Sequence, residues 1–97
     1  MPDKKKLYEQ KIAAQLAEWR ADIDKLQAKA KGASADAKLK YAKQIDKLEL
    51  KYGEGKLKLK EIAESTEEAW ESIKDGADSL WDTIRSTFAE IKDKFKD

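Results

Sequence analysis

Cysteine and histidine are both absent from this chain of 97 residues. That excludes disulfides, thiolate or imidazole metal ligands, and any nucleophile that depends on a histidine base. Proline occurs once, at position 2, and glycine four times. No stretch approaches the roughly 18 uninterrupted apolar residues that a membrane-crossing helix needs. The start, PDKKKLYEQKIA after Met1, is basic but lacks the apolar segment of a secretory leader. Glycine-rich phosphate loops, calcium-loop patterns and zinc spacings are missing too. These absences lead to the expectation of a cytoplasmic protein without a span, which is not an enzyme and has no cofactor or small-molecule substrate.

What remains is rich in Ala, Lys, Glu and Leu, with 42% charged and 8% aromatic residues. Such a composition belongs to long helices or coiled coils. The clearest pattern lies between Ala69 and Asp97, which reads in blocks of eleven as AWESIKDGADS, LWDTIRSTFAE and IKDKFKD. Trp70 stands over Trp81, Ile73 over Ile84 and Phe95, and Ala69 over Leu80 and Ile91. Eleven residues make three helical turns of about 3.67 each, so one apolar face persists along the helix.

Earlier stretches follow a similar rule. Asp3 can cap a helix over 4–31, whose apolar positions Tyr8, Ile12, Leu16, Trp19, Ile23, Leu26 and Ala30 step by three and four. From Ile12 onward this is a heptad seam suited to a helical partner. Lys29 and Lys31 suit the last turn, Gly32 is a candidate left-handed cap, and Ser34 with Asp36 signals a new start. A turn is therefore expected near 32–34. A second helix over 35–64 places Ala37, Tyr41, Ile45, Leu48, Tyr52, Leu59 and Ile62 on one face. Gly53 and Gly55 are its weak point, each costing about 0.5–1 kcal/mol relative to Ala, so bending or fraying is expected at 53–55, the place where this helix can break.

A third helix is expected over 66–96, capped by Ser65 or Thr66, with Glu68 completing a capping-box pattern after Ser65. Against a break there stands the apolar phase, since 59, 62, 66, 70, 73, 77, 80, 84, 88, 91 and 95 step by three and four without interruption. The fold expected is all-α and a single domain over 1–97. It is an elongated antiparallel helical hairpin with one long arm, or a three-helix bundle, with coiled-coil or hendecad packing.

Net charge is +1, but its distribution is uneven. Residues 1–33 carry +3, residues 34–64 carry +2 and residues 65–97 carry −4. An acidic C-terminal helix beside basic ones is the simplest use of this asymmetry, within a chain or between chains. Nucleic acid is not expected as a partner, because the only arginines are Arg20 and Arg85 and acids are interleaved among the lysines.

On a helical wheel the third helix presents Trp70, Ile73, Ala77, Leu80, Trp81, Ile84, Phe88, Ile91 and Phe95 as one face. Lys74, Arg85 and Lys92 flank one edge and Lys94 the other, while Glu71, Asp75, Asp82 and Asp93 lie opposite. This face can be a bundle core whose flanking cations reach neighbouring acids. It can also be a peripheral membrane contact, with lysines extended to lipid headgroups. Together with Trp19, Ile23 and Leu26 of the first helix, Trp70, Ile73, Leu80, Trp81, Ile84, Phe88, Ile91 and Phe95 form the expected interaction face. Trp19, Tyr8, Tyr41 and Tyr52 fall on seams, where the tyrosine hydroxyls and the Trp19 N–H are expected to reach solvent at the edges.

Several runs together point to a family. They are Tyr8-Glu9-Gln10-Lys11, Gln15-Leu16 with Glu18-Trp19, Ile23-Asp24-Lys25-Leu26, Ala35-Asp36-Ala37-Lys38, Tyr41 with Gln44-Ile45 and Leu48, and Ala69-Trp70-Glu71 with Lys74 and Gly76. They resemble small bacterial coiled-coil proteins of a stress-response type first noted in cyanobacteria, and the likeness covers most of the chain. Gly53 and Gly55 depart from that pattern, which is uninterrupted helix there. The resemblance implies a cytoplasmic helical protein linked to stress, with no catalytic residues. Taken with the residues themselves, it leads to the expectation of a structural or interaction protein that self-associates, or pairs with another helical protein, through apolar helix faces. The rivals are a membrane-surface protein and a desiccation-type protectant that folds conditionally.

Overall fold

A computed structural model describes residues 3–95. Three helices follow one another: α1 (Lys4–Lys31), α2 (Ala35–Glu64) and α3 (Glu67–Lys94). They lie side by side as an up-down-up bundle with extents of 52 × 21 × 19 Å. One straight helix over α2 and α3 would need about 90 Å at 1.5 Å per residue, so the bundle and not the long-armed hairpin is the fold. The third helix begins one residue later than expected, and Lys96, the last residue expected in it, lies outside the described residues.

Each start is set by a short polar side chain that occupies otherwise orphaned backbone donors. The Asp3 carboxylate accepts from Lys5 N at 3.0 Å and Lys6 N at 3.4 Å. The Ser34 hydroxyl accepts from Ala37 N at 3.3 Å. At the second junction Thr66 is the cap, accepting from Ala69 N at 3.1 Å. Ser65 instead turns its hydroxyl back to donate to the Ile62 carbonyl at 2.6 Å, ending α2. The capping box expected between Ser65 and Glu68 does not form, because the cap falls one residue later and places Ala69 where the box needs its acid.

Gly32 also departs from expectation. Its φ is −93° and ψ 4°, so it is not left-handed; its N–H donates to the Lys29 carbonyl at 3.3 Å in a tightened last turn. Of the two outcomes left open at Gly53 and Gly55, the break does not occur: α2 runs through both. No glycine among the described residues has positive φ. Gly55 is buried in the seven-residue series Leu48, Gly55, Ile62 that faces the other helices. A methyl built on it would lie 2.9 Å from Leu16 Cδ2, 3.1 Å from Trp81 Cζ3 and 3.4 Å from Ile84 Cδ1. The glycine is the space into which α1 and α3 send large side chains, and that packing outweighs its weak helix propensity.

The core runs the length of the bundle. Ile12, Leu16, Trp19, Ile23 and Leu26 come from α1, Ile45, Leu48 and Ile62 from α2, and Trp70, Ala77, Trp81, Ile84, Phe88 and Ile91 from α3. The α1 and α2 backbones approach one another most closely, whereas α3 stands further from α1 and meets it through long side chains.

The two α2 glycines should therefore respond in opposite senses. Nothing lies within 4 Å of a methyl at Gly53, so Gly53→Ala should gain about 0.5–1 kcal/mol, a rise of roughly 4 °C in melting temperature. Gly55→Ala should lose about 1–2 kcal/mol net, because overpacking against the Trp81 ring exceeds the helix gain. Equal gains in thermal melts of the two variants would contradict the close approach at Gly55.

Candidate interaction face

The apolar period of eleven gives α3 one continuous face, and the fold turns that face inward. Trp70, Trp81, Ile84, Phe88 and Ile91 are buried, while Ile73, Leu80 and Phe95 are half-buried against the same core. Trp19, Ile23 and Leu26 of α1 are buried opposite them. All eleven residues of the expected face thus belong to one intramolecular core. The sequence placed them on separate helices; the bundle brings them together.

Aromatic rings order the contact between α1 and α3. Trp19 stacks on Phe88 with centroids 5.3 Å apart and meets Trp81 at 6.3 Å. Tyr8 meets Trp70 edge to face at 6.0 Å, and Tyr41 of α2 stacks on Phe95 at 4.3 Å. Offset and edge contacts of this kind add about 0.5–1.5 kcal/mol each beyond the area they bury.

A polar chain crosses the edge of this face. The Trp81 indole Nε1–H donates to the Tyr8 hydroxyl at 2.8 Å, and that hydroxyl donates to Asp78 Oδ1 at 2.7 Å. Burial first, and then the bond to the Asp78 carboxylate, hold the Tyr8 phenol well above the ordinary tyrosine range; the Trp81 donor opposes them. The Tyr8 hydroxyl, expected to reach solvent, is bonded within the chain on both sides. No periodicity reveals such a chain, because it joins residues 70 and more positions apart. The Trp70 N–H is different, being buried with no hydrogen-bond partner among the described residues.

Three of the four flanking cations also have partners within the chain. Lys74 lies 5.8 Å over the Trp70 ring, Arg85 pairs with Asp82 at 3.0 Å, and Lys92 of α3 pairs with Asp22 of α1 at 3.5 Å. The last pair sets a cation of the acidic third against an anion of the basic third. Net charge alone therefore does not describe how α3 is seated.

Outside the core, Leu39, Leu50 and Leu57 are 65–73% exposed and share one line along α2. Between α1 and α2 runs a shallow groove of about 380 Å³, lined chiefly by Ala13, Ala17, Tyr52, Leu59 and Ala63. A smaller hollow beside Tyr8 mixes Lys11 and Arg85 with Asp78 and Asp82. No group of acids among the described residues is placed to hold a metal ion, and no helix among them is long and apolar enough to cross a membrane. Comparison with known proteins finds no match, whether to a family model, a curated protein or a solved structure.

Two tryptophans with similar burial should behave differently. Trp81→Phe removes the donor to Tyr8 and ring area over Gly55 and Trp19, and should cost about 2–3 kcal/mol in chemical denaturation. Trp70→Phe removes an unpaired buried donor along with its packing, so the two effects offset and the change should stay within about 1 kcal/mol.

The raised Tyr8 group gives a pH dependence whose sign follows from linkage. Above the ordinary tyrosine value of about 10 the unfolded chain loses this proton while the folded chain keeps it, so stability falls as pH rises beyond that point. Denaturation midpoints measured across the alkaline range should fall less steeply for Tyr8→Phe than for the parent.

Proposed function

We propose that this chain is a non-enzymatic, cytoplasmic helical protein that acts by helix-to-helix contact, with further copies of itself as the favoured partner and protection under stress as its setting. The observation that carries the reading is the continuous apolar face of α3, which packs on α1 and α2 of its own chain and which the same surface of another copy would accept. It spans Trp70 to Phe95, and Thr87 is the one polar residue among its buried positions. A face of that length and composition recognises another apolar helical surface and offers no group for chemistry on a substrate. The resemblance of the sequence to stress-response coiled-coil proteins agrees with this role.

The membrane-surface reading uses the same residues. In that reading Trp70, Trp81 and Phe88 would sit at the acyl boundary, with Lys74, Arg85 and Lys92 at the headgroups. Against it, those cations already have partners within the chain, and the rings already have a core to fill.

Tryptophan emission with and without anionic vesicles separates the two. The expected spectrum is blue-shifted before lipid is added, unchanged by vesicles, and lost in one cooperative melt. A red spectrum that moves blue only with vesicles, and reverts with salt, would overturn the proposal in favour of the bilayer. Low helicity in dilute buffer that rises on drying would overturn it in favour of a conditionally folded protectant.

A further inference from the structure

The junction between α2 and α3 is two residues long, and neither is glycine or proline. Ser65 has φ −81° and ψ 157°, and Thr66 has φ −75° and ψ 166°. Both φ values are already close to those of an α-helix, so rotation of two ψ angles would convert the junction into helix. The register would also be right. At 100° per residue, the buried positions of α2 (Ile45, Leu48, Gly55, Ile62) and those of α3 fall within one common arc of about 120°. Two helices separated by a real break owe each other no such agreement.

From this geometry we infer that α3 exchanges between two copies of the chain. The inference rests on the reading that the chain self-associates, and it supplies the surface that is used. In the exchanged form α2 and α3 are one helix of about 90 Å. Each α3 lies on the α1 and α2 of the other copy, antiparallel to that α2, as it lies on its own in the closed chain. Every contact between α3 and the α1–α2 pair is kept, including Trp81 over Gly55 and the hydrogen bond from Trp81 to Tyr8. Only the junction differs.

The closed junction leaves the last carbonyls of α2 to substitute partners: Ile62 O takes Ser65 N at 3.1 Å and the Ser65 hydroxyl, and Ala63 O takes Lys5 Nζ at 3.2 Å. A continuous helix supplies backbone N–H groups instead. Mass action then decides between the forms, with closure winning in dilute solution and exchange in concentrated solution.

Glu67→Pro tests this directly. Glu67 is exposed, stands at the first helical position of α3, and follows Thr66 in extended conformation, all of which a proline accepts. In the exchanged dimer the same proline would stand inside a helix at both junctions, lowering the association constant by roughly 10⁴-fold. The double variant Ser65→Ala, Thr66→Ala removes the caps and favours helix, and should raise that constant by about tenfold or more.

The full-length chain and both variants would be refolded at micromolar and millimolar concentration, then compared by light scattering and small-angle scattering. The exchange is supported by a parent dimer about twice the 52 Å bundle in length, a Glu67→Pro chain that stays monomeric with an undiminished melt, and a double variant richer in dimer. If the parent and Glu67→Pro dimerise equally, the exchange is overturned while self-association stands, running through an outer surface such as the Leu39, Leu50 and Leu57 line. If the parent stays monomeric throughout, both the exchange and the self-association reading fall. Should Glu67→Pro not fold, an unchanged dimer fraction in the double variant overturns the exchange on its own.

Discussion

Trp81 over Gly55 is the contact on which the three helices depend. The indole edge comes to 3.1 Å of where a β-carbon on Gly55 would sit, its N–H donates to Tyr8, and its ring meets Trp19. One side chain of α3 thereby engages α1 twice and α2 once. The absence of a side chain at Gly55 makes this possible, since α1 also sends Leu16 into the same space. Helices of 28 to 30 residues rich in Ala, Lys, Glu and Leu are favoured by propensity, but their order in the bundle comes from burying faces of this kind.

The legible part of this fold is what recurs locally. The steps of three and four from Ile12 to Leu26 place the α1 core, and the blocks of eleven place that of α3. Asp3 and Ser34 mark starts because capping is a contact between neighbours in sequence. Gly55 is misread for a physical reason: propensity counts what glycine costs its own helix, whereas its value here lies in what it admits from two others. The Tyr8 hydrogen bonds are illegible in the same way, because they join distant positions whose polarity alone suggests solvent. Ser65 presents a third case. Its hydroxyl can cap the next helix or bond back into the last, and the choice of Thr66 as cap depends on where α3 must begin to lay Trp70 on Tyr8.

Charge plays a smaller part than its uneven distribution suggests. Most of the ion pairs described are local, between residues three or four apart, such as Lys51 with Glu54 and Lys58 with Glu61. Exposed pairs of this kind contribute about 0.3–0.5 kcal/mol each. They support individual helices and leave the choice of neighbour to the apolar faces. The uneven charge then acts at longer range, biasing an acidic α3 toward an α1–α2 pair of opposite net sign, whether from its own chain or another.

In the proposed exchange α3 is the element that changes partners, and the packing gives the reason. The α1–α2 pair is joined by a three-residue turn and has the closest backbones, so it is the local and mutually committed unit. By contrast α3 is seated on α1 through long side chains, chiefly aromatic rings, whose contacts specify a surface without specifying which chain supplies it. A close-packed face decides shape, and a two-residue junction with helical φ leaves connectivity open. In the proposed exchange, the same apolar arc that stabilises the closed bundle is the surface by which one copy would hold another.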